Sequence, residues 1–393
     1  MISVEEALEK VLALVCPVGV EAVALAEAGG RVLRADLAAT RDQPPFDASA
    51  MDGYAVPAGE VRAGASFRVI ATSRAGQGAA GRVGPGQAVR IFTGAPVPGG
   101  AGRVVMQEDV ERAGETITLR DSIGDKAHIR PRGDDFAAGE VLAAPRRLSP
   151  ADLALIAAMN IPDVTVARRP DVAILATGDE LVMPGEAPGP DQIIAGNGFA
   201  LKALIERAGG EARLLPIARD DEASLRTVFA LAEGADLIVT IGGASVGDHD
   251  LVGKVAGDLG LDLAFHKVAI RPGKPLMAGR LGGAAMLGLP GNPVSALVTA
   301  HVFLMPMIAV LLGLPAGPVP CRRAPLAAAL PANGPRAHYM RARLTGAGLA
   351  PFESQDSAHL KEFAAADALI VRPCDDPPRA TGEEVDWIAL RDH

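Results

Sequence analysis

The 393-residue sequence has little cysteine, few aromatic side chains and no excess of positive charge. Its three cysteines, Cys16, Cys321 and Cys374, lie far apart without a CxxC pair or a His/Cys cluster, so they indicate neither a disulfide framework nor a thiolate zinc site. We expect them to be buried free thiols of a protein in the reducing cytoplasm. Aromatic residues make up 3%, too few for a surface that stacks single-stranded nucleic acid. The net charge of -9 argues against general nucleic-acid binding, which needs a basic surface.

One segment lacks charge altogether and tests whether the chain enters a membrane. No charged residue occurs between Arg280 and Arg322, and residues 294–314 are almost wholly apolar, close to the ~20 residues that span a bilayer. His301 interrupts this run, and residues 291–293 (Gly-Asn-Pro) open it like the start of a helix in a soluble fold. The start of the chain has no signal-peptide pattern. We predict a buried or dimer-interface helix, no membrane span and a cytoplasmic location.

The spacing of apolar residues divides the chain into regions of different type. Ser3 and Glu6 form a capping box before a helical pattern. From about residue 40 to 130, short apolar runs alternate with Gly and Pro clusters, which predicts a β-rich domain. From Asp171 onward, strands alternate with helices, which predicts a parallel sheet with ligands beyond the carboxyl ends of its strands. After Pro315 a Pro-rich linker leads to a last β segment.

Apolar runs also place individual elements within these regions. Strands are expected at about 213–217 and 237–241 in the α/β region. Helices are expected at 149–159 and about 221–232, and another begins with Asn197 as its N-cap and ends before Gly209.

A Gly-rich loop after the predicted strand 237–241 allows two interpretations. Residues 243–247 match GxSxG, the nucleophile elbow of serine hydrolases with Ser245 as nucleophile, and His249, His266 and His301 follow as possible bases. The elbow requires a helix immediately after the serine, whereas here the loop continues through Asp248 and Asp250. We therefore favour a loop whose backbone N–H groups hold phosphate while the carboxylates hold a cation.

Three more loops have the same character. Residues 271–275 (Arg-Pro-Gly-Lys-Pro) place two cations on a stiff turn, with Lys267 nearby. Residues 289–295 lead from a strand to a helix N-terminus, where unpaired N–H groups attract anions. Residues 177–180 (Thr-Gly-Asp-Glu) place acids at a strand end. Four such loops at successive strand ends predict one binding site.

Eight motifs together resemble the molybdopterin molybdenumtransferase family, the MoeA-type proteins that include the gephyrin E domain. The resemblance extends in the family's order from Ser3 to about Leu390 and rests on the following segments: Ser49-Ala50-Met51-Asp52-Gly53-Tyr54-Ala55, Thr93-Gly94-Ala95-Pro96-Val97-Pro98, Val105-Met106-Gln107-Glu108, Arg132-Gly133-Asp134-Asp135, Thr177-Gly178-Asp179-Glu180-Leu181, Gly242-Gly243-Ala244-Ser245-Val246-Gly247-Asp248, Pro272-Gly273-Lys274-Pro275 and Gly288-Leu289-Pro290-Gly291-Asn292-Pro293-Val294-Ser295.

The resemblance implies an architecture of four domains. They are a doubly wound, mostly parallel α/β domain of molybdopterin-binding type (169–315), a β-rich domain (40–135), a discontinuous helical domain (1–39 with 136–168) and a C-terminal β-barrel-like domain (316–393). It also implies a homodimer in which Asp52 reaches the active site of the other subunit.

The family transfers molybdate into adenylylated molybdopterin, releasing AMP in a magnesium-dependent step. By resemblance, the catalytic residues are Asp52, Thr93, Asp135, Glu180, Asp248 and Asp250, and we expect Glu180, Asp248 and Asp250 to lie nearest the phosphates or the magnesium. A divalent cation would offset the repulsion between two anionic reactants.

The resemblance also implies which residues bind substrate. Lys267, Arg271 and Lys274 would hold phosphate or molybdate, and Ser245, Pro290 and Ser295 would line the pterin pocket. By the same resemblance, the remaining residues expected to bind substrate are Thr177, Gly178, Asp179, Asn197, Gly242, Gly243, Gly247, Pro272, Gly273 and Asn292. Partners implied are a molybdopterin adenylyltransferase and molybdoenzyme chaperones, with no nucleic acid and no membrane.

Two departures and three other functions remain open. Gly196 stands where the family often has Ser, and residues 354–357 (Ser-Gln-Asp-Ser) replace a Gly- and Ser-rich turn, which bears on the role of the C-terminal domain. A molybdopterin adenylyltransferase would use a similar α/β domain without the flanking domains present here. A serine hydrolase would use Ser245. A non-catalytic scaffold would need a groove that the sequence does not reveal.

Overall fold

The computed structural model describes residues 1–243 and 251–391, and the chain divides into two compact units. One unit combines Met1–Glu21 with Val166–His393, and the other is Ala22–Thr165. The N-terminal helix therefore belongs to the same unit as the part of the chain from Val166 onward. The finer division into four domains at the expected boundaries stays a prediction.

The Ala22–Thr165 unit is built around a six-stranded sheet. Tyr54 and Val56 pack on one face of it, whereas Ala55, between them in the chain, packs on the other. Both faces are covered because the apolar run of this strand is continuous rather than alternating. In spatial order the strands are Arg103–Met106, Gly53–Val56, Gln87–Ile91, Ser66–Ser73, Thr116–Leu119 and Val110–Ala113.

Smaller elements complete this unit. The helix Pro150–Ala158 begins with a capping box, in which Ser149 accepts a hydrogen bond from the Asp152 N–H and Asp152 accepts one from the Ser149 N–H. A four-stranded sheet has the order Val20–Ala24, Asp163–Ala167, Val32–Leu33 and Arg146–Arg147, and the boundaries between the units fall in its first two strands. Two-stranded ladders pair Ala48–Ser49 with Ile129–Arg130 and Leu37–Ala38 with Val141–Leu142.

The other unit contains the predicted α/β sheet. Four of its six strands are parallel, and Met277–Leu281 is antiparallel to both of its neighbours. Helices pack on both faces, as expected for a doubly wound sheet. In spatial order the strands are Glu211–Leu214, Asp171–Ala176, Leu237–Ile241, Ala284–Leu289, Met277–Leu281 and Asp262–His266.

The helices of this unit follow their sequence signals closely. Ser3 accepts a hydrogen bond from the Glu6 N–H at 3.0 Å, and Asp221 accepts one from the Ser224 N–H at 2.7 Å, so each caps the helix that follows it. The left-handed Gly209 (φ 100°) ends a third helix as predicted. The helices are Val4–Ala13, Asn197–Ala208, Glu222–Leu231, Leu251–Asp258, Pro293–Leu311 and Leu360–Ala364.

The apolar helix Pro293–Leu311 is long and hydrophobic enough to cross a membrane by length and composition. Its mean hydropathy is 2.1, yet 83% of its most apolar window is buried inside the protein. A helix that is apolar on all sides is a core helix when other elements surround it. The prediction of a buried helix is therefore confirmed. Burial lowers the pKa of His301, at its centre, to about 4, so this side chain is neutral at pH 7.

The C-terminal β segment forms a nearly closed sheet. Its strands have the order Ile270–Arg271, Ala337–Thr345, Ala368–Arg372, Glu384–Ala389 and Arg322–Pro325, and Gly348–Pro351 pairs with the second of them. A bridge between Leu326 and Leu349 brings the last strand back to this hairpin, which accounts for the barrel-like character. The cysteines differ from expectation, because all three are exposed rather than buried.

Candidate functional site

The carboxyl edge of the parallel sheet brings the predicted loops together. Ala176, Ile241 and Leu289 stand opposite one another in neighbouring strands, so the loops that follow them begin at one level. The strand Asp171–Ala176 also lies between Glu211–Leu214 and Leu237–Ile241, so the chain order reverses at this strand. Ligands of open α/β sheets bind at such a switch point.

Glycines allow the loops to approach each other closely. Gly242 has φ +88°, and a Cβ there would lie 3.1 Å from the Thr177 carbonyl oxygen. A Cβ on Gly291 would lie 3.6 Å from the Gly242 Cα. Gly243 has φ +61°, and its Cβ would lie 2.2 Å from Val252 Cγ2. Both positive φ angles favour glycine, so the Gly-Gly pair is required by geometry.

Three acidic side chains border the first of these loops. The Thr177 hydroxyl donates to Asp220 Oδ1 at 3.0 Å, and the Asp220 N–H donates to Asp179 Oδ1 at 3.3 Å. The Glu180 carboxylate lies over Gly178, where a Cβ would be 2.3 Å from Oε2. Sequence reasoning missed Asp220, because Asp221 next to it accounted for the helix cap and left no local signal for a second acid.

Asn197 contacts the neighbouring loop rather than capping its own helix. It is the first helical residue, and its Nδ2 donates to the Gly291 carbonyl oxygen at 2.8 Å. The predicted N-cap role was therefore wrong: Gly196 occupies the cap position without a side-chain hydrogen bond. Asn197 instead links the first helix after the sheet edge to the loop before the helix Pro293–Leu311.

The C-terminal β segment reaches this edge through Ser357. Asn292 Nδ2 donates to Ser357 Oγ at 3.0 Å, and the Val294 N–H donates to the Ser357 carbonyl oxygen at 3.1 Å. The buried Arg341 holds the preceding turn, donating to the carbonyl oxygens of Ser354 at 3.1 Å and Asp356 at 2.8 Å. Arg341 thus fixes the 354–357 turn, which departs from the family pattern, and Ser357 at its end contacts the predicted substrate loop 289–295.

Predicted cations occupy the same edge. Lys267 follows the strand Asp262–His266, whose last residue pairs with Met277, and Met277 pairs in turn with Gly288. The backbone links the two parts of this cationic loop, since the Val268 N–H donates to the Lys274 carbonyl oxygen at 3.1 Å. Within the described residues, neither lysine nor Arg271 forms an ion pair.

Gly273 seats the cationic turn against the long helix. It has φ +109°, and a Cβ there would lie 2.4 Å from Thr299 Cγ2 and 3.7 Å from the Ser295 carbonyl oxygen. Pro272 precedes it, and the Ser295 side chain is buried in the first turn of the helix. Pro290 is buried at the end of its strand.

Asp52 and Thr93 form a pair in the Ala22–Thr165 unit. Asp52 Oδ1 accepts hydrogen bonds from the Thr93 N–H at 2.7 Å and from the Thr93 hydroxyl at 2.8 Å. These two hydrogen bonds, with the nearby charge of Arg90, hold the pKa of Asp52 below its ordinary value against a smaller opposing effect of burial. Asp52 is therefore an ionised acceptor at neutral pH, and the resemblance had placed both residues at the reaction centre.

Asp135 occupies a different loop of that unit. Its N–H donates to the Gln43 carbonyl oxygen at 2.9 Å, and its side chain makes no hydrogen bond within the described residues. The neighbouring Arg132 is bound through its N–H to Asp47 Oδ1 at 2.9 Å and through its guanidinium to Asp42. This loop is well anchored, but no described contact joins Asp135 to Asp52.

Four predicted site residues lie outside the described residues: Ser245, Gly247, Asp248 and Asp250. Within the described part of the chain, no three His, Cys, Asp or Glu side chains are grouped to hold a metal ion. Magnesium does not need such a cage, because it usually binds one or two carboxylates together with substrate phosphates and water. The exposed acids of the 177–180 loop fit that donor set.

Comparison with protein families assigns three consecutive segments. Residues 2–160 match the MoeA N-terminal region (domain I and II), residues 173–310 match a probable molybdopterin binding domain, and residues 323–390 match the MoeA C-terminal region (domain IV). The middle match contains the strand-end loops, and the first contains the Asp52–Thr93 pair.

Individual relatives and solved structures agree with these matches. The chain is 38% identical over 307 residues to molybdopterin molybdenumtransferase of Nostoc, covering 76% of this chain and 70% of that one. It is 36% identical over 379 residues to molybdopterin molybdenumtransferase 2 of Mycobacterium tuberculosis, covering 92% and 93%. A molybdopterin biosynthesis MoeA protein from Pyrococcus horikoshii superposes with a TM-score of 0.84 at 32% identity, covering 100% of each chain.

Proposed function

The chain belongs to the MoeA family of molybdopterin molybdenumtransferases, and from this premise we propose that it inserts molybdate into adenylylated molybdopterin with release of AMP. The observation that carries the proposal is the convergence of Gly242, Gly291, Glu180 and Lys267 at one edge of the parallel sheet. Both reactants are anions, so the site must supply donors and positive charge where the chain as a whole is acidic.

The strand-end loops supply donors and cations of the required kind. Backbone N–H groups at glycine turns and at the start of the helix Pro293–Leu311 suit phosphate oxygens. Lys267, Arg271 and Lys274 lie on one stiff loop at the same edge and would hold phosphate or molybdate. The exposed Asn292 is the N-cap residue of this helix. An oxyanion and a pyrophosphate could thus be held side by side.

We propose that magnesium is the cofactor and that Glu180 holds it, together with Asp248 and Asp250 as the sequence predicts. A bound divalent cation would neutralise phosphate charge and polarise the phosphoanhydride. The contribution of the chain is to hold the ion near the phosphates while Asp179 remains bonded to the Asp220 N–H. Adding a chelator should abolish turnover without unfolding the protein.

The Asp52–Thr93 pair would act on the same reactants in a homodimer. We propose that the pair of one protomer serves the strand-end site of the other, so that each active site contains residues from both chains. We also propose a cytoplasmic location, supply of substrate by a molybdopterin adenylyltransferase and delivery of product to molybdoenzyme chaperones.

The direct test is AMP release from the purified protein supplied with adenylylated molybdopterin, molybdate and magnesium. Asp52→Asn and Glu180→Gln should lose turnover while their melting temperatures stay close to wild type, because Glu180 is exposed and Asp52 is half-buried. Glu233→Gln is the matched control: Glu233 is exposed and precedes the strand Leu237–Ile241, at the opposite edge of the sheet. Absence of AMP release from the wild type would reject the proposal.

A second assay separates this function from the hydrolase alternative. A fluorophosphonate probe should leave Ser245 unlabelled, because the proposed loop binds phosphate and has no activated nucleophile. Of the candidate bases for a hydrolase, His301 lies buried in the core helix as a neutral imidazole. Labelling of Ser245 that disappears in Ser245→Ala would favour the hydrolase.

A further inference from the structure

Arg90 lies between two aromatic rings in the six-stranded sheet. It belongs to the strand Gln87–Ile91 and stands directly opposite Tyr54 in the register with Gly53–Val56. Its guanidinium carbon lies 5.0 Å from the Tyr54 ring centroid and 4.7 Å from the Phe92 ring centroid. Both distances are those of cation–π contacts. The chain has only two tyrosines and ten phenylalanines, and two of these aromatic residues contact this one arginine.

The same guanidinium donates hydrogen bonds to two residues that contact the Asp52 backbone, Gly53 and Gln107. Arg90 Nη1 donates to the Gly53 carbonyl oxygen at 3.0 Å, and Nη2 donates to Gln107 Oε1 at 2.6 Å. The Gln107 N–H in turn donates to the Asp52 carbonyl oxygen at 3.1 Å. Arg90 therefore fixes the residue that follows Asp52 and the residue that binds the Asp52 carbonyl.

Arg90 also constrains the other member of the pair. Phe92, which stacks on the guanidinium, directly precedes Thr93 in the chain. The Thr93 N–H and hydroxyl are the two donors to Asp52 Oδ1. One side chain thus contacts residues adjacent to Asp52 and to Thr93, although it forms no hydrogen bond to either side chain itself.

We propose that Arg90 is a positioning residue for the reaction, holding Asp52 and Thr93 in their mutual geometry. This inference rests on the proposed function, in which that pair serves the reacting groups. The role requires arginine, because only a planar guanidinium directs donors to two acceptors while stacking between two rings. A lysine would keep the positive charge and lose the paired hydrogen bonds.

The alternative is that Arg90 only stabilises the sheet. Such a role would change the melting temperature and leave the kinetic constants and their pH dependence as they are. A positioning role lowers kcat, because displacement of a reacting group by ~1 Å can cost ~100-fold in rate. It also moves the acid limb of the pH profile, since the positive charge near Asp52 favours its ionised form. The other charged group in this network is Glu108, which accepts from Gln107 Nε2 at 3.2 Å.

The experiment compares Arg90→Met, Arg90→Lys and the control Arg68→Met in the full-length chain, using AMP release as the assay. Arg68 lies in the adjacent strand Ser66–Ser73, but its side chain is 72% exposed and pairs with the exposed Glu115. We expect kcat to fall by ~100-fold in Arg90→Met with little change in KM. The acid limb of the pH profile of Arg90→Met should shift to higher pH. Arg90→Lys should lose kcat and keep the acid limb, and Arg68→Met should match wild type.

Two results would overturn the inference, and a third separates it from the proposed function. Kinetic constants in both Arg90 variants equal to those of Arg68→Met would leave Arg90 a structural residue. A fall in melting temperature that accounts for the whole loss of activity would also leave Arg90 a structural residue. If Arg90→Met does not fold, the kinetic constants of Arg90→Lys provide the test. If the wild type releases no AMP, the proposed function fails. The carboxyl titration of Asp52, followed by NMR in protein with carbon-13 aspartate and assigned with Asp52→Asn, then decides whether Arg90 acts on it.

Discussion

Replacing Gly53 by alanine is the sharpest test of how the sheet holds the Asp52 region. A Cβ at this position would lie 1.9 Å from the Val105 carbonyl oxygen, 2.8 Å from the Val105 carbonyl carbon and 3.1 Å from the Met106 Cα. All three are backbone atoms of the neighbouring strand Arg103–Met106, so no side chain can rotate to make room. The two strands must move apart, and the Gly53 carbonyl oxygen, which accepts from Arg90, moves with its own strand Gly53–Val56.

The size of the effect follows from this geometry. Inserting a methyl group into a packed site costs about 1–3 kcal/mol, and a clash with backbone belongs at the upper end. In a domain of this size, 1 kcal/mol corresponds to about 2–4 °C in melting temperature, so we expect Gly53→Ala to melt about 6–12 °C lower. Because Asp52 precedes Gly53, AMP release should fall as well.

Differential scanning calorimetry of the full chain measures the change, with Gly59→Ala as the matched control. Gly59 is in the same unit, has no atom within 4 Å of an added Cβ and does not have a left-handed φ. Its replacement should leave the melting temperature unchanged or raise it slightly, since alanine restricts the unfolded chain. If Gly53→Ala melts at the same temperature as Gly59→Ala, the strand contact is not the constraint inferred here.

Two further predictions concern other parts of the chain. Burial would raise the pKa of Asp376, but hydrogen bonds from Arg379 and Arg372 hold it below the ordinary value. The ionised Asp376 therefore stabilises the fold above about pH 4, and this stabilisation is lost as the pH falls through the folded-state pKa. Asp376→Ala leaves the buried Arg372 without its carboxylate partner and should lower the free energy of unfolding at pH 7 by about 3–5 kcal/mol. Denaturant titration measures this change, and an unchanged free energy would refute the role of this ion pair. Asn197→Ala removes the hydrogen bond to the Gly291 carbonyl oxygen and should cost only about 1 kcal/mol in stability, but raise the KM for adenylylated molybdopterin; an unchanged KM would show that this contact does not shape the substrate loop.

Elements with strong local signals were predictable to within a residue or two. The strand Leu237–Ile241 has the expected bounds, since it is a short apolar run that ends at a Gly-Gly turn. Ser149 and Asp221 cap their helices as their residue types predict. The expected strand at 213–217 is shifted to Glu211–Leu214, because pairing with Asp171–Ala176 decides where the ladder ends.

The candidate site was predictable as separate loops and not as a set of contacts. An asparagine at position 197 indicated a helix cap, yet its side-chain amide donates to the carbonyl oxygen of Gly291, 94 positions later in the chain. Asp220 and Arg90 were missed for the same reason, and so was the contact of Ser357 with Asn292. Each owes its place to a partner distant in sequence, and nothing in the nearby residues announces such a partner.

The burial of the helix Pro293–Leu311 has a consequence for synthesis of the chain. Machinery that senses only hydropathy would treat these nineteen residues as a membrane anchor when they leave the ribosome. Two of the helices that cover them, Val4–Ala13 and Asn197–Ala208, precede them and are already available as packing partners. Because these helices are synthesised first, the apolar helix can pack against them as soon as it leaves the ribosome, and this packing competes with its insertion into a membrane.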